Sequence, residues 1–116
     1  MEFTSQTANP HFPAVLDIDP KEVMSSKGQT KLIDVRRPDE YIGELGHVAG
    51  AELLTLDQLP AQIETLPKNQ PIIFICRSGG RSAQATAFAL ENGFTEVYNM
   101  KGGMLLWNEY GLQTEK

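Results

Sequence analysis

The stretch PIIFICRSGGRSAQATAFALEN, residues 71–92, decides the fold. Its apolar run IIFI, residues 72–75, is too short for a helix and leaves no polar face for solvent. Such a run is typical of a central strand in a parallel sheet that is covered on both faces. From residue 82 the apolar positions recur at helical spacing, and Gly93 stands where a helix would end. The stretch therefore predicts a buried strand, a short loop and a helix.

Cys76 is the only cysteine of the chain and directly follows this strand, before the loop RSGGR of residues 77–81. Successive backbone N–H groups in such a loop, at the N-terminus of a helix, form a site for an anion. A cysteine at the end of a buried strand is more often a small hydrophobic residue without chemistry. That alternative requires neither the flanking arginines nor a glycine pair that lets backbones approach closely. We therefore predict that Cys76 is a nucleophile held in an anion-binding loop.

Length and composition are typical of one soluble globular domain. The chain has 116 residues, of which 41% are hydrophobic and 22% charged, and it contains no apolar run long enough to span a membrane. Its net charge of -5 argues against nucleic acid as the main partner. The single cysteine cannot form an internal disulfide, and residues 1–13 do not have the pattern of a signal peptide. We expect a cytoplasmic protein without a nucleic-acid or membrane partner.

The four arginines are unevenly placed along the chain. Arg36 and Arg37 follow one predicted strand, whereas Arg77 and Arg81 lie in the loop after the central strand. Arginine suits planar and tetrahedral anions, and ligands of parallel sheets bind beyond the carboxyl ends of the strands. Arginines are common in polar loops, which explains one such pair more easily than two. The placement predicts a small anionic substrate.

The remaining segments alternate between strands and helices. Residues 1–12 are polar and interrupted by proline, which predicts a loose tail before a single domain of residues 13–112. Strands are predicted near residues 14–18, 31–35, 47–54, 72–75 and 97–100, and helices near residues 20–27, 38–42, 56–66, 82–92 and 104–110. This alternation predicts an α/β fold with a five-stranded, mostly parallel sheet and helices on both faces.

Four segments, in the order that the family has them, resemble a rhodanese domain of the single-domain form: LIDVRRPDEY (32–41), GHVAGAELL (46–54), IIFICRSGGRSA (72–83) and GFTEVYNMKGGMLLW (93–107). The resemblance extends over residues 15–110. It implies a rhodanese-like sheet of five strands and a sulfurtransferase in which Cys76 carries a persulfide. It also implies a structural role for Asp34, and for Arg36 either a structural role or a place on the rim of the pocket.

The resemblance further implies that backbone amides of the loop surround the outer sulfur of the persulfide. The implied substrate-binding residues are Arg77, Ser78, Gly79, Gly80, Arg81, Ser82 and Arg36.

The spacing between Cys76 and Arg81 bears on the substrate. Relatives of this fold that act as phosphatases or arsenate reductases have five residues between the cysteine and the arginine, in a wider loop suited to an oxyanion. This chain has four, and a tighter ring of amides favours a single sulfur atom over a phosphate. Ser78 stands where well-known thiosulfate-using loops have a lysine, so the identity of the sulfur donor stays open.

The predicted activity is that of a transferase similar to thiosulfate sulfurtransferase. A small anionic donor gives its sulfane sulfur to Cys76, which passes it to an acceptor such as cyanide, a thiol or a protein cysteine. Two alternatives stay open: a relay module that passes sulfur between proteins with little small-molecule activity, and a phosphatase-type enzyme, which the loop length disfavours. We expect no cofactor and no metal, because one cysteine and the dispersed His11 and His47 form no ligand cluster.

Overall fold

A six-stranded sheet forms the centre of the structure, a computed structural model that describes residues 2–116. The strands are β1 (Thr7–Ala8), β2 (Leu16–Ile18), β3 (Lys31–Asp34), β4 (Glu52–Leu53), β5 (Ile72–Ile75) and β6 (Val97–Met100). They lie in the order β1-β2-β6-β5-β3-β4, and the neighbours are parallel except β1 with β2. The predicted α/β class and mostly parallel sheet are confirmed. The sixth strand is β1, a short antiparallel edge strand that the sequence pattern does not show.

Helices cover both faces of the sheet: α1 (Pro20–Ser25), α2 (Pro38–Tyr41), α3 (Leu59–Gln62), α4 (Gly80–Glu91) and α5 (Gly103–Glu109). The helix predicted near residues 56–66 is instead the single turn of α3 between the 3₁₀ turns Leu56–Gln58 and Ile63–Thr65. Pro60 explains the interruption, because proline lacks an N–H and is tolerated only in the first turn of a helix. Within residues 2–116, no helix has the length and apolar character needed to cross a bilayer.

Strand β5 supplies both hydrophobic cores, and each of its four side chains is 0% exposed. Successive side chains of a strand point to opposite faces of the sheet. One pair therefore packs in the cluster around Trp107 of α5, and the other packs in the cluster around Ala85 of α4. Cys76 continues the second row, so its side chain starts from the face of the sheet that α4 covers.

Residues 2–12 are mostly exposed, but a few of them bind the rest of the protein, in contrast to the predicted loose tail. Phe3 is only 4% exposed, and its ring meets the ring of Tyr98 edge-on with a centroid distance of 4.9 Å. Strand β1 pairs with β2, and Asn9 is buried. This segment has no hydrophobic periodicity because its packing depends on a few single long-range contacts.

Replacement of Phe3 by alanine tests this packing. Truncation of a buried aromatic side chain costs about 3–5 kcal/mol in a rigid core, and we expect about 2–3 kcal/mol here because a segment near the chain end can readjust. The free energy of unfolding in urea measures the loss. Ile42→Ala is the matched control, since Ile42 is 66% exposed and its truncation should change stability by less than about 0.5 kcal/mol. Equal stabilities of the two variants would contradict the packing of Phe3.

Candidate active site

Cys76 lies at the carboxyl end of β5, where the loop of residues 77–79 leads into α4. The parallel neighbours β3 and β6 end at the same edge of the sheet, so the residues that follow them surround this loop. Gly79, the residue before α4, has a φ of +102°, which a side chain would strain. The N–H of Gly79 points back to the cysteine sulfur, and the positive φ of Gly79 then directs the chain into α4.

The sulfur of Cys76 is buried and contacts two hydrogen-bond donors. Cys76 is 1% exposed. The backbone N–H of Gly79 donates to Sγ at 3.0 Å, and the hydroxyl of Ser82 lies 3.2 Å from it in donating geometry. Donors of this kind favour a charged sulfur over a neutral one, because the negative charge strengthens both hydrogen bonds.

Most other amides of the loop have no acceptor of their own. Among the N–H groups of residues 77–82, only one finds a hydrogen-bond acceptor within residues 2–116. The carbonyl oxygens of Cys76 and Arg77 accept from Met104 (2.8 Å) and Leu105 (2.9 Å) at the start of α5. Because the C=O and N–H of a trans peptide point in opposite directions, the two N–H groups that follow these carbonyls point away from α5. The loop thus presents free donors at the N-terminus of a helix, which is an arrangement that binds anions.

The contact with α5 requires glycine at position 103. Gly103 has a φ of +59°, and a Cβ there would lie 2.5 Å from both the Cys76 oxygen and the Arg77 carbonyl carbon. Any side chain would therefore separate α5 from the loop. This contact was not predicted, and its only signal in the sequence is the glycine pair at residues 102–103.

Arg81 is bound to Glu40 and not to the loop interior. Its two terminal nitrogens donate to the two carboxylate oxygens of Glu40 at 2.7 and 2.8 Å. Hydrogen bonding to Arg81 lowers the pKa of Glu40 to about 2, although burial opposes the shift. Arg81 was predicted to bind the sulfur donor, but in this structure it forms an ion pair that connects α4 with α2. The sequence gives no sign that Glu40 is its partner.

Arg36 and Asp34 form a buried pair. Arg36 is 1% exposed and donates to both carboxylate oxygens of Asp34 at 2.7–3.1 Å and to the carbonyl oxygen of Gly46 at 2.8 Å. All of these groups lie inside the protein, so Arg36 has no free face for a donor. Arg36 was expected to be either structural or part of the pocket rim, and its geometry is that of a structural residue. In this conformation its side chain is not accessible to a sulfur donor.

Arg77, Ser78 and Gly80 are exposed at the surface of the loop. In the part of the chain that the structure describes, the Arg77 guanidinium has no ion-pair partner. Arg77 is therefore the loop arginine whose side chain is available to an incoming anion.

The two histidines are not placed as partners of the cysteine. His47 stacks on the ring of Tyr41 with a centroid distance of 3.6 Å, and its Nδ1 lies 2.8 Å from the Tyr41 carbonyl oxygen. His11 is exposed and lines a cavity beside Ser78 and Gly80, and it makes no hydrogen bond to the Cys76 sulfur within residues 2–116. Activation of the thiol therefore depends on the loop and its neighbours.

Asn99 is a site residue that the sequence analysis missed. It is 1% exposed at the carboxyl half of β6, and its amide nitrogen donates to the Gly79 carbonyl at 3.1 Å and to Asp17 at 2.9 Å. Its amide oxygen accepts a hydrogen bond from the hydroxyl of Ser82. Asn99 therefore contacts both residues that contact the sulfur, and the one available signal is a polar residue in the otherwise apolar strand segment VYNM.

Comparisons with known proteins agree with this geometry. A rhodanese-like domain model matches residues 19–110. A sulfurtransferase of Allochromatium vinosum is 32% identical over 101 residues, which are 84% of this chain and 92% of that protein. A putative sulfurtransferase of Bacillus subtilis is 39% identical over 87 residues, which are 75% of this chain and 82% of that protein. The crystal structure of a rhodanese-related protein from Thermoplasma volcanium superposes with a TM-score of 0.77 at 26% identity, covering 84% of this chain and 94% of that one.

Glu40→Gln should reduce the loss of unfolding free energy that occurs as the pH falls below 4.5. The folded-state pKa of Glu40, about 2, lies below the ordinary value of 4.5, so the carboxylate contributes stability that is fully present above pH 4.5 and is lost as the pH falls toward 2. We expect the variant to be about 1 kcal/mol less stable at pH 7, because Arg81 is 35% exposed and solvent screens the pair.

Urea unfolding at several pH values between 7 and 3 measures this difference, which should shrink progressively below pH 4.5. Glu44→Gln, at an exposed carboxylate four residues later, is the control and should show no such trend. A stability difference that stays constant over this range would contradict the ionised pair.

Proposed function

This chain belongs to the rhodanese-like domain family and its sulfurtransferases, and we propose that it moves a sulfane sulfur from a small anionic donor of the thiosulfate type to a thiophilic acceptor through a persulfide on Cys76. One observation carries the proposal: the buried Cys76 sulfur contacts two hydrogen-bond donors, and the other amides of residues 77–82 have no acceptor within residues 2–116. Donors to Sγ stabilise the thiolate that attacks the sulfur donor. Free amides can bind the negatively charged outer sulfur of the persulfide that results.

In the first step the Cys76 thiolate attacks the outer sulfur of the donor. With thiosulfate, a new bond forms between Sγ and the outer sulfur, the old sulfur–sulfur bond breaks, and its electron pair leaves with sulfite. The negative charge then resides on the outer sulfur of the persulfide. We propose that the unpaired amides of residues 77–82 bind this sulfur, because preoriented N–H groups stabilise a developing charge without reorganisation.

In the second step a soft nucleophile removes the outer sulfur. Cyanide or a thiolate attacks that sulfur, the bond to Sγ breaks, and its electron pair restores the Cys76 thiolate. The products are thiocyanate or a persulfide of the acceptor. Cys76 is the only cysteine in these 116 residues, so none of them offers a second thiol to resolve the persulfide, and we propose an acceptor outside this domain.

The Arg81–Glu40 pair favours this chemistry over phosphate hydrolysis. A phosphatase loop needs its arginine to bind two oxygens of the phosphate, but here both terminal nitrogens of Arg81 are bound to a carboxylate. A single sulfur atom carries its charge in a smaller volume and needs only the backbone amides. Arg77, exposed and without an ion-pair partner among the described residues, is proposed to attract the anionic donor at the mouth of the loop.

Cys76→Ser should fold normally and lose sulfur transfer. Serine is nearly isosteric, but its hydroxyl is not ionised at neutral pH and cannot hold a persulfide. Intact mass spectrometry after incubation with thiosulfate should show one added sulfur atom on the wild type and none on the variant. A variant that gains sulfur would overturn the assignment of the nucleophile. A wild type that is loaded by a persulfidated protein but not by thiosulfate would favour the relay alternative.

Arg77→Ala should raise the KM for the anionic donor about three- to fivefold, with kcat nearly unchanged, because an exposed charge pair contributes up to about 1 kcal/mol. The increase should become smaller at high ionic strength, where salt screens the attraction. Steady-state kinetics with thiosulfate and cyanide at two salt concentrations measure both effects. Lys27→Ala removes an exposed positive charge before β3, at the opposite edge of the sheet, and serves as the control. Equal KM values for both variants would rule out steering by Arg77.

A further inference from the structure

We propose that Asn99 is a positioning residue that controls the direction of the Ser82 hydroxyl and thereby adjusts the stability of the Cys76 thiolate. The Ser82 hydroxyl has two acceptors within reach, the sulfur of Cys76 and the amide oxygen of Asn99. It carries one proton and can donate to only one of them at a time. The charge on the sulfur determines which of the two acceptors receives the hydrogen bond.

The orientation of the Asn99 amide follows from its partners. Its nitrogen faces two groups that can only accept, the carboxylate of Asp17 and the carbonyl of Gly79. The opposite side of the amide, which faces Ser82, is therefore the oxygen. An amide oxygen cannot donate, so the contact between it and the hydroxyl exists only when Ser82 is the donor.

The two directions of the hydroxyl match two states of the sulfur. When Cys76 is a neutral thiol, its S–H can donate to the Ser82 oxygen while the hydroxyl donates to Asn99. When Cys76 is a thiolate, the charged sulfur is the stronger acceptor, and the hydroxyl turns to it and leaves the Asn99 oxygen. Asn99 therefore competes with the thiolate for the same proton and moderates its stability.

This competition fits the reaction cycle, and in that respect the inference rests on the proposed function. In the persulfide, Sγ is bonded to the outer sulfur and carries no charge, so the Ser82 hydroxyl returns to Asn99. When the acceptor removes the outer sulfur, the charge returns to Sγ and the hydroxyl can stabilise it again. The Ser82 hydroxyl thus donates to Sγ when Sγ is charged, and it donates to the Asn99 oxygen while Cys76 carries the persulfide.

Asn99 is itself held in place from the N-terminal side. Asp17 accepts from the Asn99 nitrogen at 2.9 Å and from the Asn9 nitrogen at 3.0 Å. Asn9, Asp17 and Asn99 are 8%, 7% and 1% exposed. The Asn99 amide is fixed by Asp17 and by the Gly79 carbonyl and cannot rotate to follow the Ser82 hydroxyl. The hydroxyl is therefore the group that moves.

Several elements that pack around the loop carry charged groups. They are Asp17 of β2, Asp34 and Arg36 at the end of β3, Glu40 of α2, Arg77 of the loop and Arg81 of α4. None of them is changed in the variants used below, so differences between these variants report on Ser82 and Asn99.

A double-mutant cycle tests the proposal through the pH midpoint of iodoacetamide alkylation at Cys76, the only thiol of the chain. Ser82→Ala removes a donor to the thiolate and should raise the midpoint by about half to one pH unit. Asn99→Leu keeps the approximate shape but removes the competing acceptor, and should lower the midpoint by a similar amount. In the double variant most of the shift caused by Asn99→Leu should be lost, because the proposed competition requires the Ser82 hydroxyl.

Two outcomes of this cycle would overturn the proposal. One is an Asn99→Leu midpoint that is unchanged or raised, which would show that Asn99 only supports the loop. The other is a shift by Asn99→Leu that persists undiminished without the Ser82 hydroxyl. Alkylation needs no sulfur donor, so either failure is separate from a failure of sulfur loading in the mass experiment, which tests the proposed function.

A second measurement does not depend on the folding of Asn99→Leu. In the wild type, the ¹³C resonance of the Asn99 side-chain carbonyl should shift with the same pH midpoint as the alkylation of Cys76, because the hydroxyl leaves its oxygen. In Ser82→Ala this shift should disappear. A carbonyl resonance that does not titrate in the wild type, or that titrates equally in Ser82→Ala, would overturn the proposal.

Discussion

The active-site loop depends on one constraint, the close contact between its first two carbonyl groups and the start of α5. Met104 and Leu105 donate to the oxygens of Cys76 and Arg77, and this is possible only because position 103 is glycine. Binding the carbonyls on one side of the loop directs the following N–H groups to the other side. The same hydrogen bonds that pack α5 against the sheet thereby produce the free donors of the site.

Two ion pairs hold the rest of this edge of the sheet, and both use arginines that a sequence reader assigns to the substrate. Arg36 is closed in by Asp34 and the Gly46 carbonyl, and its burial is tolerable because every charge is paired and hydrogen-bonded. Arg81 binds Glu40 and connects the catalytic loop to α2. Positive charge near the cysteine is therefore mostly neutralised, and the backbone N–H groups of the loop are the main donors left beside the sulfur.

Much of the fold was accessible from the sequence, because alternation and burial leave a strong pattern. The run IIFI predicts the central strand, and β3, β5 and β6 lie at their predicted positions. The N-terminal packing was not accessible, because a single buried ring such as Phe3 leaves no periodic signal. The positions of Cys76 and Gly79 in the candidate site were predictable, because the strand, the loop and the helix follow one another directly in the chain. The places of Glu40 and Asn99 were not predictable, because their partners are distant in sequence. Glu40 binds Arg81, which is 41 residues further along, and Asn99 binds Ser82, which is 17 residues earlier.

The hydrogen bonds that lead to the Cys76 sulfur begin outside the part of the chain that the family model matches. The rhodanese-like model matches from residue 19 onward, whereas Asp17 and Asn9 lie before it. Asp17 accepts a hydrogen bond from Asn99 and another from Asn9, and Asn99 in turn contacts Ser82 and Gly79. The N-terminal segment therefore does more than extend the sheet by one edge strand. Because each member of this chain of hydrogen bonds is buried, a displacement of the segment would leave polar groups without partners close to the sulfur, and so the packing of the N-terminus and the order of the active-site loop are coupled.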